Sequence, residues 1–228
     1  MAEALRVLYV QHQDDCPPGY VGERLAQRGA RAEVVRAQDG SLPDPRDFDL
    51  VVPLGSDDAA YDESLPHLPD EWQLLSTAVE ADVPVFGICF GAQLLARVLG
   101  GRVRRMERPE IGWLTVDTTA PELVEPGPWL VWHLDVIHDL PAGMEVARTS
   151  EGVQAFAYGP HAGTQFHPEA TVESAQTWAD RYTDSLARVG VDGDALMAET
   201  VARQAESRQR AYDLTDRVLD RALARRAR

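Results

Sequence analysis

Residues 83–96 constrain the fold more than any other segment. An apolar run typical of a buried strand leads into Gly87-Ile-Cys89-Phe-Gly91 and then directly into a helix-like stretch. Glycines on both sides of a cysteine permit a sharp, strained turn, the nucleophile elbow, which lifts the side chain above the sheet. The Cys89 sulfur would then lie at a helix N-terminus, which favours the thiolate, and the amide of Phe90 would point at an oxyanion on a substrate carbonyl. The alternative is a buried structural cysteine at a glycine-rich turn.

Other apolar runs repeat the strand signal at residues 5–11, 32–36 and 50–54, and residues 69–81 have the length and periodicity of a helix. Strands that alternate with helices predict βαβ units and a doubly wound, mainly parallel sheet with both faces covered. In residues 111–166 the pattern changes to short strands broken by glycine and proline. We therefore expect an α/β fold with a small antiparallel extension.

The C-terminal region has a different character. Residues 192–226 contain no proline, and Leu214, Val218, Leu219 and Leu223 are spaced for one helical face. This pattern predicts an amphipathic helix or a pair of helices, either packed on the parent domain or in contact with a partner or a second copy of the chain. We expect a domain over residues 1–187 and a helical extension over residues 188–228.

The charge composition excludes several functions. All 22 basic residues are arginine, so Schiff-base chemistry and a P-loop lysine are absent. The net charge of −15 disfavours nucleic acid and anionic membranes as main partners. Residues 201–228 alone carry a net charge of +4, from eight Arg and four Asp or Glu, so this tail is expected to dock on the acidic body.

The chain has only two cysteines, Cys16 and Cys89, too few for a disulfide framework. A reducing compartment and a cytoplasmic location follow as expectations. The first residues lack a signal-peptide pattern, and no long apolar stretch predicts a membrane span. The spacing of histidines and cysteines indicates no metal site, and no cofactor is expected.

A thiolate nucleophile needs a base, and the base needs an orienting group. His167 follows the apolar strand end Thr164-Gln165-Phe166 and precedes Pro168-Glu169. The proline stiffens this turn, and the Glu169 carboxylate two residues on can reach the imidazole and fix its tautomer. Taken alone, His-Pro-Glu is also compatible with an ordinary loop.

Several motifs together resemble the class I (triad) glutamine amidotransferase family, especially stand-alone proteins similar to the glutaminase domain of GMP synthase. The resemblance runs from about residue 5 to about residue 178 and rests on Gly87-Ile-Cys89-Phe-Gly91-Ala-Gln93, Gly100-Gly101, Glu110-Ile-Gly-Trp113, Trp132-His-Leu-Asp135 and Gln165-Phe-His167-Pro-Glu169. It implies a flavodoxin-like fold and hydrolysis of the γ-amide of glutamine through a glutamyl thioester. In that scheme Cys89 is the nucleophile, His167 the base and Glu169 its orienting group.

The resemblance also implies roles in the oxyanion hole and in substrate binding. The family commonly has Gly-Gly-Pro after an earlier strand, whereas this chain has Pro53-Leu-Gly55-Ser, so Gly55 is the candidate second oxyanion donor beside Phe90. Gln93 lies where the family holds the α-amino acid end of the substrate. The family's Ser/Asn-His-Gly segment corresponds to Trp132-His133-Leu134, and Leu134 in place of glycine leaves less room and points to an altered substrate. His133, Leu134 and the adjacent Asp135 are therefore the other candidate substrate-binding residues. For His133 and Asp135 the alternative is a hydrogen-bonded structural support.

Three functions remain open. The first is a glutaminase that supplies ammonia to a separate synthetase, since the chain lacks residues for handling ATP. The second is a γ-glutamyl hydrolase or peptidase, which uses the same thioester chemistry but releases an amine. The third is a catalytically silent interaction protein that retains the fold. The expected partners are glutamine or another γ-glutamyl molecule, the synthetase and, for the tail, a second copy of the chain.

Overall fold

The computed structural model describes residues 4–226, which form ten strands and six α-helices. The strands are β1 (Arg6–Gln11), β2 (Arg31–Arg36), β3 (Leu50–Pro53), β4 (Phe86–Ile88), β5 (Arg102–Leu114), β6 (Asp117–Thr118), β7 (Trp129–His138), β8 (Glu145–Arg148), β9 (Val153–Tyr158) and β10 (His161–Thr164). The helices are α1 (Gly19–Gln27), α2 (Leu68–Glu80), α3 (Phe90–Val98), α4 (Val172–Arg181), α5 (Thr183–Val189) and α6 (Gly193–Arg226). Among residues 4–226, none of these helices combines the length and the apolar character that crossing a bilayer requires.

The parallel strands form one half of the structure and include β4, which leads into Cys89. β1 pairs in parallel with β2 and β3, a parallel bridge from Val51 to Val85 leads on toward β4, and β4 pairs in parallel with β10. Along β1, Val7 and Tyr9 enter one buried cluster whereas Leu8 and Val10 enter another. This alternation explains why the strand is a continuous apolar run: helices cover both faces of the sheet. The predicted doubly wound α/β fold is confirmed.

The antiparallel extension is larger than predicted. The strand order continues from β10 through β9 and β7 to β5, and all of these neighbours are antiparallel. β5 begins at Arg102, nine residues before the predicted start of this region, and is 13 residues long; β7 has ten. The pairing of β5 with β7 continues on both sides of a register shift between Arg105 and Glu110. This shift is a bulge that accommodates the intervening residues.

The C-terminal segment folds as the short helix α5 followed by one long helix, α6, which packs on α1 and α4. Leu214, Val218 and Leu219 are buried in the same cluster as Val7 and Tyr9 of the sheet. The expectation that Leu223 is buried on this face is wrong: it is 38% exposed, near the end of the helix. The alternative role for this segment, contact with a second copy of the chain, stays a prediction.

Ion pairs attach α6 to the rest of the domain, and α6 contributes the acidic residue to some of them and the basic residue to others. Asp216 accepts from Arg24 of α1 at 2.5 Å and from Arg28 at 2.6 Å. In the opposite sense, Arg217 pairs with Glu125 at 2.6 Å, and Arg208 pairs with Glu23. The expected contact of a basic tail with an acidic surface therefore describes only part of this interface, because α6 contributes the acidic residue, Asp216, to two of these pairs.

Candidate active site

Cys89 occupies the elbow between β4 and α3. Its φ is +50°, a left-handed conformation that a non-glycine residue adopts only under strain. The flanking glycines are required by close packing: a Cβ on Gly87 would lie 2.7 Å from the amide nitrogen of Ala92, and one on Gly91 would lie 2.1 Å from the carbonyl oxygen of Pro53. The predicted sharp turn is therefore present, and it requires glycine at both positions because it leaves no room for a side chain there.

The parallel pairing of β4 with β10 brings the second motif to the same edge. Ile88 lies opposite Thr164 in the register, and the Cys89 amide donates to the Thr164 carbonyl at 2.8 Å. The chain that continues from β10 therefore runs beside Cys89. Both segments border an open pocket, lined by residues that include Cys89, Gln93, Trp132, Leu134, His167 and Trp178.

His167 and Glu169 form a buried pair. The Nδ1 atom of His167 lies 2.7 Å from Oε1 of Glu169, and both side chains are at least 96% buried. The other ring nitrogen, Nε2, lies 3.4 Å from the carbonyl oxygen of Trp132, and the Cys89 sulfur lies 4.0 Å from that same oxygen. The structure therefore brings together the three residues that the sequence singled out for acyl transfer.

The electrostatic environment of His167 favours its protonated form. Burial by itself would lower the pKa of His167, but the charge of Glu169 and the neighbouring Cys89 sulfur outweigh it and hold the pKa well above its ordinary value. A protonated imidazole next to the sulfur is the arrangement that stabilises a thiolate.

Gly19, the first residue of α1, packs against the backbone of Glu169. Its φ is +46°, and a Cβ there would lie 1.8 Å from the carbonyl oxygen of Glu169. The next amide, that of Tyr20, donates to this carbonyl at 3.0 Å. The start of α1 therefore fixes the backbone of Glu169, a contact that the sequence did not indicate because the two residues are far apart in the chain.

Gln165 is a second residue whose place the sequence did not reveal, although it is part of the quoted motif. Its Nε2 donates to the Cys89 sulfur at 3.6 Å, and its Oε1 accepts from Nε2 of Gln93 at 3.2 Å. Gln93 also donates to the Asp135 carbonyl at 3.3 Å. The predicted substrate-binding Gln93 thus belongs to a chain of amides that ends at the sulfur.

The two candidate oxyanion donors lie close to Cys89: Phe90 follows it in the chain, and a Cβ on Gly55 would lie 3.8 Å from the Cys89 Cβ. Phe90 is the first residue of α3, where backbone amides have no intrahelical partner, while its ring packs edge-on against His12 at 4.7 Å between centroids. Gly55 is buried, and a Cβ there would lie 3.4 Å from Cε1 of His167. The amide of Gly91 donates to the Leu54 carbonyl at 3.1 Å, which ties the elbow helix to the loop that carries Gly55.

His133 is engaged on both ring nitrogens. Nδ1 lies 2.9 Å from the Asp135 carbonyl, and Nε2 lies 3.1 Å from Oε2 of Glu110, its direct partner across the β5–β7 ladder. Burial would raise the pKa of Glu110, but hydrogen bonds with His133, Thr149 and Gln154 bring it below its ordinary value. The imidazole is thus held by the backbone carbonyl of Asp135, the residue named for this support, and by the side chain of Glu110.

The remaining residues of this segment border the pocket. Leu134 is half-buried in its lining. The Asp135 carboxylate accepts from the Tyr61 hydroxyl at 3.0 Å and lies 3.6 Å from the Arg105 guanidinium. Leu134 and Asp135 are therefore placed where a substrate could meet them.

Cys16 lies on the same edge of the sheet as Cys89 and lines the same pocket. Burial, reinforced by the neighbouring Asp15 carboxylate, raises the pKa of the Cys16 thiol far above its ordinary value. Cys16 therefore stays a neutral thiol. Beside it, Trp132, Trp178 and Tyr182 form an aromatic wall, with 6.1 Å between the centroids of the two indoles.

One buried cluster outside this pocket has metal-ligating side chains. Ligand atoms of His12, His67 and Glu71 lie within 4.8 Å of one another. No sequence pattern assigns a partner to either histidine, because the two are far apart in the chain and no local motif connects them.

Comparisons with known proteins identify the family of this chain. The sequence model of the family described as "Glutamine amidotransferase class-I" matches residues 21–179, more than half of the chain. A GMP synthase [glutamine-hydrolyzing] of Thermomicrobium roseum is 44% identical over 108 residues, which cover 44% of this chain and 20% of that protein. A protein of Sulfolobus acidocaldarius that is named as one subunit of a GMP synthase [glutamine-hydrolyzing] is 34% identical over 142 residues, covering 58% of this chain and 72% of that one. The chain spans less than a third of the length of the GMP synthases of T. roseum and Mycobacterium leprae.

Solved structures share the architecture along nearly the whole chain. A glutamine amidotransferase of Thermotoga maritima superposes with a TM-score of 0.85 at 28% identity, covering 96% of this chain and 99% of that one. A glutamine amidotransferase of Methylobacillus flagellatus has the same fold, with a TM-score of 0.84 at 24% identity and coverage of 96% and 94%. The family match, the relatives and the shared fold lead to one conclusion: the chain belongs to the class I glutamine amidotransferases.

Proposed function

We propose that this protein hydrolyses the γ-amide of glutamine with Cys89 as nucleophile, His167 as acid and base, and Glu169 as the group that orients His167. One observation carries the proposal: a strained cysteine elbow and a buried His–Glu pair border the same pocket. Within that pair, Nδ1 of His167 and Oε1 of Glu169 are 2.7 Å apart. A purely structural cysteine would explain neither the strain at Cys89 nor the buried His167–Glu169 pair next to it. An interaction protein without activity would not require them either.

In the first half-reaction the Cys89 sulfur attacks the amide carbon of the glutamine side chain, and a C–S bond forms while the carbonyl oxygen becomes an oxyanion. The amides of Phe90 and Gly55 are the proposed donors to that oxygen. His167 then gives its proton to the nitrogen, the C–N bond breaks and ammonia leaves. The product on the enzyme is a glutamyl thioester.

In the second half-reaction a water molecule attacks the thioester and His167 takes its proton. A second oxyanion forms, the C–S bond breaks, and glutamate leaves as the sulfur is restored. Glu169 serves both halves, because a carboxylate on Nδ1 holds Nε2 toward the sulfur and stabilises the imidazolium. We assign Gln93, Leu134 and Asp135 to the glutamyl end of the substrate and His133 to the support of that segment.

A partner that uses the ammonia is part of this proposal. The S. acidocaldarius relative is named as one subunit of a GMP synthase, and this chain has no lysine or phosphate loop with which to activate an acceptor. The Gly55 loop lacks the second glycine and the proline of the family pattern, so we expect a weak oxyanion hole in the isolated chain. Binding of the partner should raise the rate about tenfold or more, about 1.4 kcal/mol of transition-state stabilisation. The free thiols Cys16 and Cys89 fit a reducing, cytoplasmic setting.

A second candidate function is a γ-glutamyl hydrolase that releases an amine. Leu134 borders the pocket where the family has glycine, and the pocket extends past the sulfur to Asp57, Asp58 and the aromatic wall. Carboxylates and aromatic faces suit a cationic amine better than ammonia. This candidate uses the same residues for the same two half-reactions and differs only in the leaving group.

One experiment separates the two functions. The purified chain is incubated with glutamine and, separately, with a panel of γ-glutamyl amides, and the release of ammonia, amine and glutamate is followed in the steady state. Slow release of equal amounts of ammonia and glutamate from glutamine supports the glutaminase. Rapid turnover of a γ-glutamyl amide with glutamine as a poor substrate would replace it by the hydrolase, and no turnover of any member would contradict both.

A further inference from the structure

His12, His67 and Glu71 form a cluster behind the candidate active site. His12 directly follows β1, His67 precedes the first residue of α2, and Glu71 lies in the first turn of that helix. All three side chains are at least 95% buried. Three ionisable side chains are thus gathered in the interior, where polar groups require partners.

Three atoms of this cluster lack such partners. Among the described residues, Nδ1 of His12, Nε2 of His67 and Oε2 of Glu71 make no hydrogen bond, although all three are buried. The last two face each other at 3.9 Å, and Nε2 of His67 lies 3.8 Å from Oδ2 of Asp58. These separations are too long for hydrogen bonds and only slightly wider than the distance of about 3.4 Å between two ligands of a tetrahedral zinc ion.

We propose that His12, His67 and Glu71, with Asp58 as the fourth ligand, bind a divalent transition-metal ion of the zinc class. Two imidazoles with two carboxylates are a donor set that zinc prefers, whereas magnesium and calcium prefer oxygen ligands alone. The ion would give Nε2 of His67 and Oε2 of Glu71 a bond, and its charge would balance the carboxylates of Glu71 and Asp58.

The simpler arrangement is an ion pair between His12 and Glu71, whose Nε2 and Oε1 atoms are 2.9 Å apart. That pair satisfies one oxygen of Glu71 and leaves Oε2 and the ring nitrogen of His67 without a partner. On metal binding, Nε2 of His12 and the carboxylate of Glu71 would turn from each other to the ion. The metal site therefore accounts for the cluster more completely than the ion pair does.

The proposed site also has a route for entry and a structural consequence. Asp58 is 30% exposed on its side chain and borders the catalytic pocket, while its Oδ2 also accepts from the Ser56 hydroxyl at 3.0 Å. Asp58 lies three residues after Gly55, on the same loop. A bound ion would therefore tie the loop that carries the candidate oxyanion donor to β1 and α2.

Metal binding by the full chain tests this inference without an activity assay. The purified protein is stripped with a chelator, dialysed, and titrated with Zn²⁺ against a chromophoric chelator, then with Co²⁺ while the absorption spectrum is recorded. We expect one Zn²⁺ per chain, a higher melting temperature with Zn²⁺ than with Mg²⁺, and a Co²⁺ spectrum without a thiolate charge-transfer band. A thiolate band would place the ion at Cys16 or Cys89 and overturn the proposal.

Two variants sharpen the test. His67→Gln should weaken Zn²⁺ binding by about a hundredfold or more, whereas His138→Gln, a change at a partly exposed histidine outside the cluster, should leave it within about twofold. Circular dichroism reports whether each variant is folded. Should His67→Gln fail to fold, Asp58→Asn replaces it, with an expected loss of about tenfold. Absent binding in the unaltered protein, or equal binding in the His67→Gln and His138→Gln variants, would refute the site.

Discussion

Two of the buried histidine–glutamate pairs in this protein have nearly the same geometry but different surroundings. His167 and Glu169 are 2.7 Å apart, and His12 and Glu71 are 2.9 Å apart. Beyond its glutamate, His167 faces the Cys89 sulfur, whereas the carboxylate that pairs with His12 faces a second histidine, His67. We infer from the comparison that the pair alone does not define a function, and we propose that the third group decides between acyl transfer and metal binding.

Removing the sulfur should have the strongest effect on turnover. Cys89→Ala deletes the proposed nucleophile while leaving the elbow backbone in place, so hydrolysis should fall by about 10⁴-fold or more. Steady-state glutamate release measures this loss. Cys16→Ser is the matched control, because the neutral Cys16 thiol takes no part in the proposed chemistry and most activity should remain. Full activity in the Cys89→Ala variant would rule out the assignment.

The two histidines should respond very differently to substitution. His167→Ala removes the proton carrier and should lower kcat by about 10³-fold. His12→Gln should lower kcat by less than about tenfold, because His12 acts on the reacting groups through intervening residues such as Phe90, and it should lower the melting temperature. Similar losses of kcat in both variants would contradict the claim that only the His167–Glu169 pair takes part in the chemistry.

Replacing the orienting carboxylate should cost less than replacing the histidine. Glu169→Gln should reduce kcat by about 10²-fold, since it removes orientation and charge but not the proton carrier. The pKa of His167 should also fall, because the anion that raises it is gone, so the high-pH limb of kcat should move to lower pH. A full pH profile of both proteins measures this shift, and an unmoved limb would contradict the role of Glu169.

The same raised pKa has a consequence for stability. Because the pKa of His167 in the folded protein lies above its ordinary value, its contribution to the free energy of unfolding is fully present below the ordinary value. It is lost as the pH rises through the raised value. Denaturant unfolding across this interval should show the decline in the unaltered protein and a smaller decline in the Glu169→Gln variant.

Gly19→Ala tests how far the His167–Glu169 pair depends on its backbone support. The added Cβ would meet the Glu169 carbonyl at 1.8 Å, so the start of α1 or the Glu169 backbone must move. We expect kcat to fall by about tenfold or more with a smaller change in KM, because displacement weakens positioning. Gly29→Ala is the control: Gly29 also has a positive φ, +82°, but open space around its Cβ position. Equal effects on kcat would mean that strain alone, and not the contact with Glu169, explains the loss.

The smallest effect on the chemistry is expected far from both pairs. We propose residues 188–228 as a C-terminal extension of the domain over residues 1–187. Leu214→Ala on α6 should cost about 2–5 kcal/mol of unfolding free energy, whereas Leu223→Ala should change it by less than about 0.5 kcal/mol. Denaturant unfolding measures both, and KM should stay the same in each variant. Equal stability changes would contradict the packing of α6.

The sequence predicted those parts of the site whose residues are close together in the chain. Cys89 with its glycines is one pentapeptide, and His167 and Glu169 are two residues apart, so local turn chemistry indicates both. Gly19 and Glu71 escaped notice because their partners, Glu169 and His12, are 150 and 59 residues away, and only folding brings them together. The length of β5 was missed for another reason: a bulge lets a strand continue through a segment that looks broken.

Covalent trapping tests the assignment of the nucleophile most directly. A glutamine analogue with an electrophilic carbon in place of the amide is incubated with the protein, and the modified peptide is identified by mass spectrometry. We predict one adduct per chain, on Cys89, that forms more slowly in the presence of glutamine and fails to form in the Cys89→Ala variant. An adduct on Cys16, or glutamine hydrolysis that continues unchanged after Cys89 is fully modified, would contradict this account.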